Sequence, residues 1–192
     1  NKDKYIEIFK KTGALLEGHF VLTSGRHSSS YFQCAKVLQY PQYLSQFSKE
    51  IIKELSTELE VDKVISPAVG GIVLGTEVGR LLNKPTIFAE RMNGQMSLRR
   101  GFKIDKNEKI LVVEDVITTG GSVKEVIDVV HKNHGQVVGV GVIVDRSNGE
   151  VKIHEKQKSL VSLKVESFSK ESIPDSLKSI TIQKPGSRSL LK

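Results

Sequence analysis

The chain predicts an α/β fold, a mostly parallel central sheet flanked by helices, and three observations carry that expectation. Short apolar runs without alternation, "VISP", "ILVV" and "VVGVGVIV", mark strands covered on both faces, which is the habit of parallel sheets. Segments of helical period stand between them, and strand–helix alternation implies right-handed crossovers. With 192 residues, of which 38% are hydrophobic, the chain has material for one domain, residues 1–192, with a sizeable core.

Each element has its own warrant. Tyr5, Ile6 and Phe9 recur at helical spacing and Gly13 follows as a stop, so the chain opens with a short helix. "HFVLTSGRHSSSYFQCA" reads as two short strands around a Ser/Gly turn. Leu44, Phe47, Ile51, Ile52, Leu55 and Leu59 keep the spacing of a long amphipathic helix, with Pro41 near its first turn. "DKVISP" is then a strand, "GGIVLGTEVGRLL" a helix and "PTIFAE" a strand, followed by a charged loop, "RMNGQMSLRRGF". "KILVVED" is a strand, "SVKEVIDVVHKNHG" a helix ended by Gly135, and "QVVGVGVIVDR" a strand. Beyond Ser147 come short strands and a basic end, "KPGSRSLLK".

Lys and Arg number 29 against 22 Asp and Glu, a net charge of +7 that suits an anionic partner, nucleic acid or a phosphorylated small molecule. The single cysteine, Cys34, excludes an intrachain disulfide and a thiolate zinc cluster, and reads as a buried thiol. No apolar run is long enough to span a bilayer, and "NKDKYIEIFKKTG" lacks a signal-peptide core, so a cytoplasmic protein is expected. The histidines His19, His27, His131, His134 and His154 show no metal-ligand spacing.

Chemistry concentrates in "ILVVEDVITTGGSVKEV", where Glu114 and Asp115 end an apolar strand just before a Gly-rich helix start. Ligands of open parallel sheets gather at the carboxyl ends of the strands. Gly120 and Gly121 let the backbone approach a ligand closely, and the amides of Thr118 to Ser122 line a helix N-terminus that favours an anion. The hydroxyls of Thr118, Thr119 and Ser122 add donors. Two carboxylates repel a phosphate, so they are expected to accept hydrogen bonds from hydroxyls beside it, as vicinal ribose hydroxyls provide. The segment reads as a site for a sugar bearing a 5-phosphate; the bland alternative is an N-cap with a two-glycine turn. "SPAVGG", Ser66–Gly71, offers amides to a second anion or merely joins a strand to a helix. Arg91, Arg99 and Arg100 make the charged loop a source of forked donors for a polyphosphate, or a solvated surface.

"VVEDVITTGGS" resembles the phosphoribosyl pyrophosphate (PRPP) signature of type I phosphoribosyltransferases. "GHFVLTSGRHSSSYFQCAKVLQYP", "FAERMNGQMSLRRGF" and "VGVIVDR" together resemble the orotate phosphoribosyltransferases, most clearly from Glu17 to Arg146. The resemblance implies the type I fold with a small N-terminal hood, about residues 1–40 plus a C-terminal segment. It implies transfer of ribose 5-phosphate from PRPP to orotate, giving orotidine 5′-monophosphate and diphosphate on the route to UMP. Glu114, Asp115, Arg99 and Arg100 would then serve catalysis. Arg91 and the run Glu114, Asp115, Val116, Ile117, Thr118, Thr119, Gly120, Gly121 and Ser122 would bind PRPP. Thr118, Arg146, Tyr31 and Phe32 would bind orotate, with only one of the two adjacent aromatics facing it. Magnesium would be held mainly by PRPP, without a direct protein ligand. The charged loop would be a mobile lid shared across a homodimer. Three positions depart from the family's habit: Thr23 stands where many members carry Lys, Ala68 and Val69 replace a bulky aromatic and Lys, and the lid has no Lys or His between Arg91 and Arg100.

Two other readings differ in partner. A purine or uracil transferase would have no carboxylate for Arg146 to bind. A PRPP-sensing nucleic-acid regulator would need a helix-turn-helix, an aromatic RNA motif or a basic arm, and the sequence offers only its short tail.

Overall fold

The structure, a computed structural model, describes residues 2–22, 25–55 and 59–184. Thr23 and the tail from Pro185 onward lie outside the described residues. The chain opens with α1 (Lys2–Lys11), β1 (Leu15–Val21), β2 (His27–Phe32), α2 (Ala35–Leu38) and α3 (Pro41–Leu55). It continues with β3 (Lys63–Pro67), α4 (Gly70–Leu82), β4 (Thr86–Met92), β5 (Gln95–Leu98), β6 (Lys109–Ile117) and α5 (Gly121–Lys132). Last come β7 (Gln136–Asp145), β8 (Gln157–Ser162), β9 (Ser167–Phe168), α6 (Asp175–Lys178) and β10 (Ile182–Gln183).

These elements fall into two compact units. In the larger, Leu38–Leu163, one sheet runs in the order β5-β4-β3-β6-β7-β8, and every neighbouring pair is parallel except β4 with β5. Val123, Val126, Ile127 and Val130 of α5 share one buried cluster with Ile65, Ile110, Val112, Val140 and Val142 of the strands. The opposite face carries α3. Gly139 and Gly141 of β7 leave room there for Leu55, Leu59 and Ile51, and a Cβ on Gly141 would strike Ile51. The smaller unit joins Asn1–Val37 to Lys164–Lys192 around a sheet ordered β10-β1-β2-β9. There Phe9 and Phe32 meet edge to face at 5.0 Å, and His19 lies against His27 with ring nitrogens 2.6 Å apart.

Two expectations change. The charged segment after "PTIFAE" is a hairpin, not a loop: β4 extends to Met92 and β5 returns antiparallel, with Ala89 opposite Leu98 and Met92 opposite Gln95. Asn93 and Gly94 make the turn with φ of 52° and 81°, the left-handed pair a two-residue hairpin turn demands. The apolar Met96 and Leu98 dock on the cluster under α5. The second change is at β6, which runs two residues past Asp115 to Ile117. The acid pair therefore lies two residues inside the strand rather than at its end.

Candidate active site

Glu114 is buried, 7% exposed, where the sheet's middle strand β6 nears its carboxyl end. Its Oε1 accepts the Asp115 N–H at 3.1 Å, and Asp115 Oδ1 accepts the Val116 N–H at 3.0 Å. Among the described residues no Lys or Arg pairs with either acid. Burial, and then the negative charge of Asp115, hold the Glu114 carboxyl well above the usual carboxylate range. Burial pushes Asp115 upward as well. A ligand bringing hydroxyls or positive charge would offset the cost of burying this pair.

Two helix starts flank this pair. α5 begins after Gly120, whose φ of 76° places it in the left-handed region, and α4 begins after Val69; neither helix has a side-chain cap. Their first N–H groups are therefore offered outward, where an anion is the natural acceptor. Glu114, Val116, Ile117, Thr118, Thr119, Gly120, Gly121 and Ser122 enclose a pocket of about 60 Å³ at the α5 start. The cradle thus gathers Glu114 and every member of the expected PRPP run after Asp115. Asp115 instead faces the α4 start: a Cβ on Gly70 would sit 3.0 Å from both its carboxylate oxygens, and one on Gly71 would sit 3.1 Å from Glu114 Oε1. The sequence placed these two glycines only in a loop that offers amides to a second anion or joins a strand to a helix, without a link to the acids. Their signal was the doubled Gly directly after a strand–Pro–small-residue turn.

Two arginines of the hairpin, Arg91 and Arg100, are committed to partners in their own chain. Arg100 forks onto Glu90 with bonds of 2.7 and 2.9 Å and lies over the Phe88 ring, 5.5 Å from its centroid. Hydrogen bonding by Arg100 holds the Glu90 carboxyl below its ordinary range. Arg91 pairs with Glu125 of α5 at 2.6 Å, which ties the hairpin stem to the helix of the cradle. Arg99 is exposed.

Arg146 emerges from β7 immediately beside the cradle strand, its N–H bonded to the Ile117 carbonyl at 2.8 Å. The turn that carries it is organised by Asp145, a buried residue whose part in the turn the sequence did not reveal. Asp145 Oδ1 accepts the Ser147 N–H at 2.8 Å and the Ser147 hydroxyl at 2.6 Å, while Oδ2 accepts the Gly149 N–H at 2.9 Å. "DRSNG" carries the signal, since Asp followed by Ser, Asn and Gly is turn-forming chemistry. In the smaller unit, Phe32 is a core residue against Phe9, whereas Tyr31 is half-buried beside Phe20, with ring centroids 5.8 Å apart. Alternation along β2 leaves Tyr31 as the aromatic able to face a ligand.

A parallel sheet with an acid pair and two open helix starts at its carboxyl edge defines a phosphosugar-handling protein, and known proteins make the class specific. The phosphoribosyl transferase domain matches residues 39–176, and the chain belongs to that family. Relatives that match it over nearly their full length include orotate phosphoribosyltransferases: that of Chlorobium phaeobacteroides strain BS1 is 57% identical over 185 residues, covering 96% of this chain and 95% of that protein. The crystal structure of orotate phosphoribosyltransferase from Aeropyrum pernix superposes with a TM-score of 0.70 at 28% identity, over 82% of this chain and 93% of that one. Adenine phosphoribosyltransferase from Rhodothermus marinus shares the fold at a TM-score of 0.59 and 20% identity, over 69% and 86% of the two chains. The fold alone therefore does not choose the base.

Proposed function

We propose that this chain is an orotate phosphoribosyltransferase, joining the ribose C1 of PRPP to N1 of orotate and releasing pyrophosphate. The observation that carries the chemistry is the buried acid pair between two uncapped helix starts. One start suits the 5-phosphate and the other the pyrophosphate, and the carboxylates take the ribose hydroxyls between them. Breaking the C1–pyrophosphate bond leaves the bonding pair on the leaving group and positive charge on the ribose. Orientation and fixed charge serve that step better than a strong base does. Glu114 and Asp115 lie near the growing positive charge, and arginines of the hairpin face the leaving anion and exclude water. Arg146 selects the base by forking onto the orotate carboxylate, with Thr118 beside the ring.

The donor set fits magnesium, which takes oxygen ligands, often one or two carboxylates together with substrate phosphates. In this reading PRPP supplies most of the ligands of the ion. When bound, the ion neutralises the leaving pyrophosphate. A homodimer belongs to the same reading, supported by the exposed apolar side chains Val69, Val73 and Met92. Among the described residues no helix is long and apolar enough to cross a membrane. The buried thiol of Cys34 suits a reducing compartment, and we assign the protein to the cytoplasm.

Incubation with PRPP, magnesium and orotate should consume orotate absorbance, and replacing orotate by uracil or adenine should stop turnover. Equal turnover of all three bases would remove Arg146 as the selector. For the dimer, an Arg99→Ala/Arg100→Ala variant mixed with Asp115→Asn should regain activity through mixed dimers. Exchange of subunits without recovery would place the hairpin in its own chain's site.

A further inference from the structure

The far side of the phosphate cradle is built by a segment no sequence motif marked. A Cβ on Gly120 would lie 2.8 Å from Val151 Cγ1 and would strike Ile153 Cδ1, so these two side chains form the floor under the α5 start. That floor borders a cleft of about 610 Å³ whose walls include Gly149, Val151, Ile153 and Gln157. Close packing therefore does not hold the segment from the cleft side. Polar bonds do. The Gln157 amide, on β8, accepts the Ile153 N–H through Oε1 at 2.9 Å and donates from Nε2 to the Val151 carbonyl at 2.8 Å. It supplies both bonds that a neighbouring strand would have given this stretch of backbone. The other end is fixed by Ser147, whose hydroxyl accepts the Val151 N–H at 2.9 Å and donates to Asp145.

We infer that Gln157 is a positioning residue for the 5-phosphate cradle, acting through Val151 and Ile153 on the left-handed turn at Gly120. The inference rests on the cradle binding the phosphate of PRPP. The amide sits on an edge strand and, like Arg146, outside the cradle, yet its two bonds decide where the cradle's floor stands. A side chain without the amide, such as leucine, loses both bonds. A carboxylate keeps the acceptor and turns the Val151 contact into repulsion.

The test compares Gln157→Leu and Gln157→Glu with the parent protein. It measures KM for PRPP and for orotate, kcat, the melting temperature, and the affinity for ribose 5-phosphate by calorimetry. Gln157→Leu should raise the PRPP KM and the ribose 5-phosphate Kd about tenfold, as expected for two lost hydrogen bonds, with the orotate KM within about twofold. Gln157→Glu should give a smaller shift in the same direction, and it keeps the test open if the Leu variant fails to fold. A lowered melting temperature with unchanged ribose 5-phosphate affinity, or an equal shift of both KM values, would overturn the positioning role. If the parent protein itself fails to bind ribose 5-phosphate, the cradle assignment falls, and the inference with it.

Discussion

In the proposed function the acid pair with its two helix starts and the β4–β5 hairpin meet the same demand, handling phosphates, by opposite means. The first region is made of backbone. Its donors are uncapped N–H groups, its glycines are fixed by what packs against them, and among the described residues no Lys or Arg pairs with its two carboxylates. The hairpin is made of long side chains, and two of its arginines already have partners, Arg100 on Glu90 and Arg91 on Glu125. A backbone site is preorganised and holds unmet need in the free protein, whereas a side-chain site must exchange one partner for another. Rigid geometry therefore belongs to the cradle, and adjustability to the hairpin.

Substitutions can break this contrast, and the largest effect is expected at Gly120. Gly120→Ala forces a Cβ onto a left-handed residue and into Val151 and Ile153, which together should cost about 2–5 kcal/mol of stability. Urea unfolding measures it; a loss below about 1 kcal/mol would mean that the floor yields.

Asp115→Asn comes next. It should remove about 1.5–3 kcal/mol of transition-state binding, roughly ten- to a hundredfold in kcat/KM. Near-normal turnover would end its assigned role. The same change sharpens the contrast through stability. Because the folded state raises both carboxyl pKa values, the parent loses stability as pH climbs from the ordinary carboxylate range, near 4, through the raised folded values. Glu114→Gln and Asp115→Asn should therefore melt higher than the parent at neutral pH, with the gain shrinking toward pH 4. A gain that grew on acidification would contradict burial as the cause.

Arg146→Ala should be smaller and confined to one substrate. Half-buried, it should forfeit about 1.5 kcal/mol, near tenfold in orotate affinity, and leave PRPP binding intact. Loss of both affinities together would make its role structural. Smallest of all is the effect of Arg100→Ala on folding. Its pairing with Glu90 is solvent-screened, so the unfolding midpoint should not move measurably even where turnover falls. A clear drop would mean that the Phe88 stacking anchors the hairpin.

The strands and helices around the cradle were legible because their signals are local. Uninterrupted apolar runs gave β3, β6 and β7, and α4 occupies the span its sequence period marks, Gly70–Leu82. β5 was not read, although Asn93-Gly94 is a strong hairpin signal. Its strand of four residues, "QMSL", is too short to show a period and was masked by neighbouring charges. The end of β6 was misplaced by two residues because ladder bonds to β7 continue past the acids, and pairing with a neighbour is not written in either strand alone.

The sequence by itself determined the strand–helix alternation, the position of the acid pair before a glycine-rich helix start, and the resemblance to a PRPP-using family. These follow from periodicity and from residues adjacent along the chain. Only the tertiary structure decided that Gly70 and Gly71 abut the two carboxylates, that Arg100 is held by Glu90, and that Gln157 supports the floor beneath Gly120. Each of those pairs is brought together by sheet order or strand register. Contact energies fall off within a few ångströms, so their meaning exists only once the sheet has set the distances.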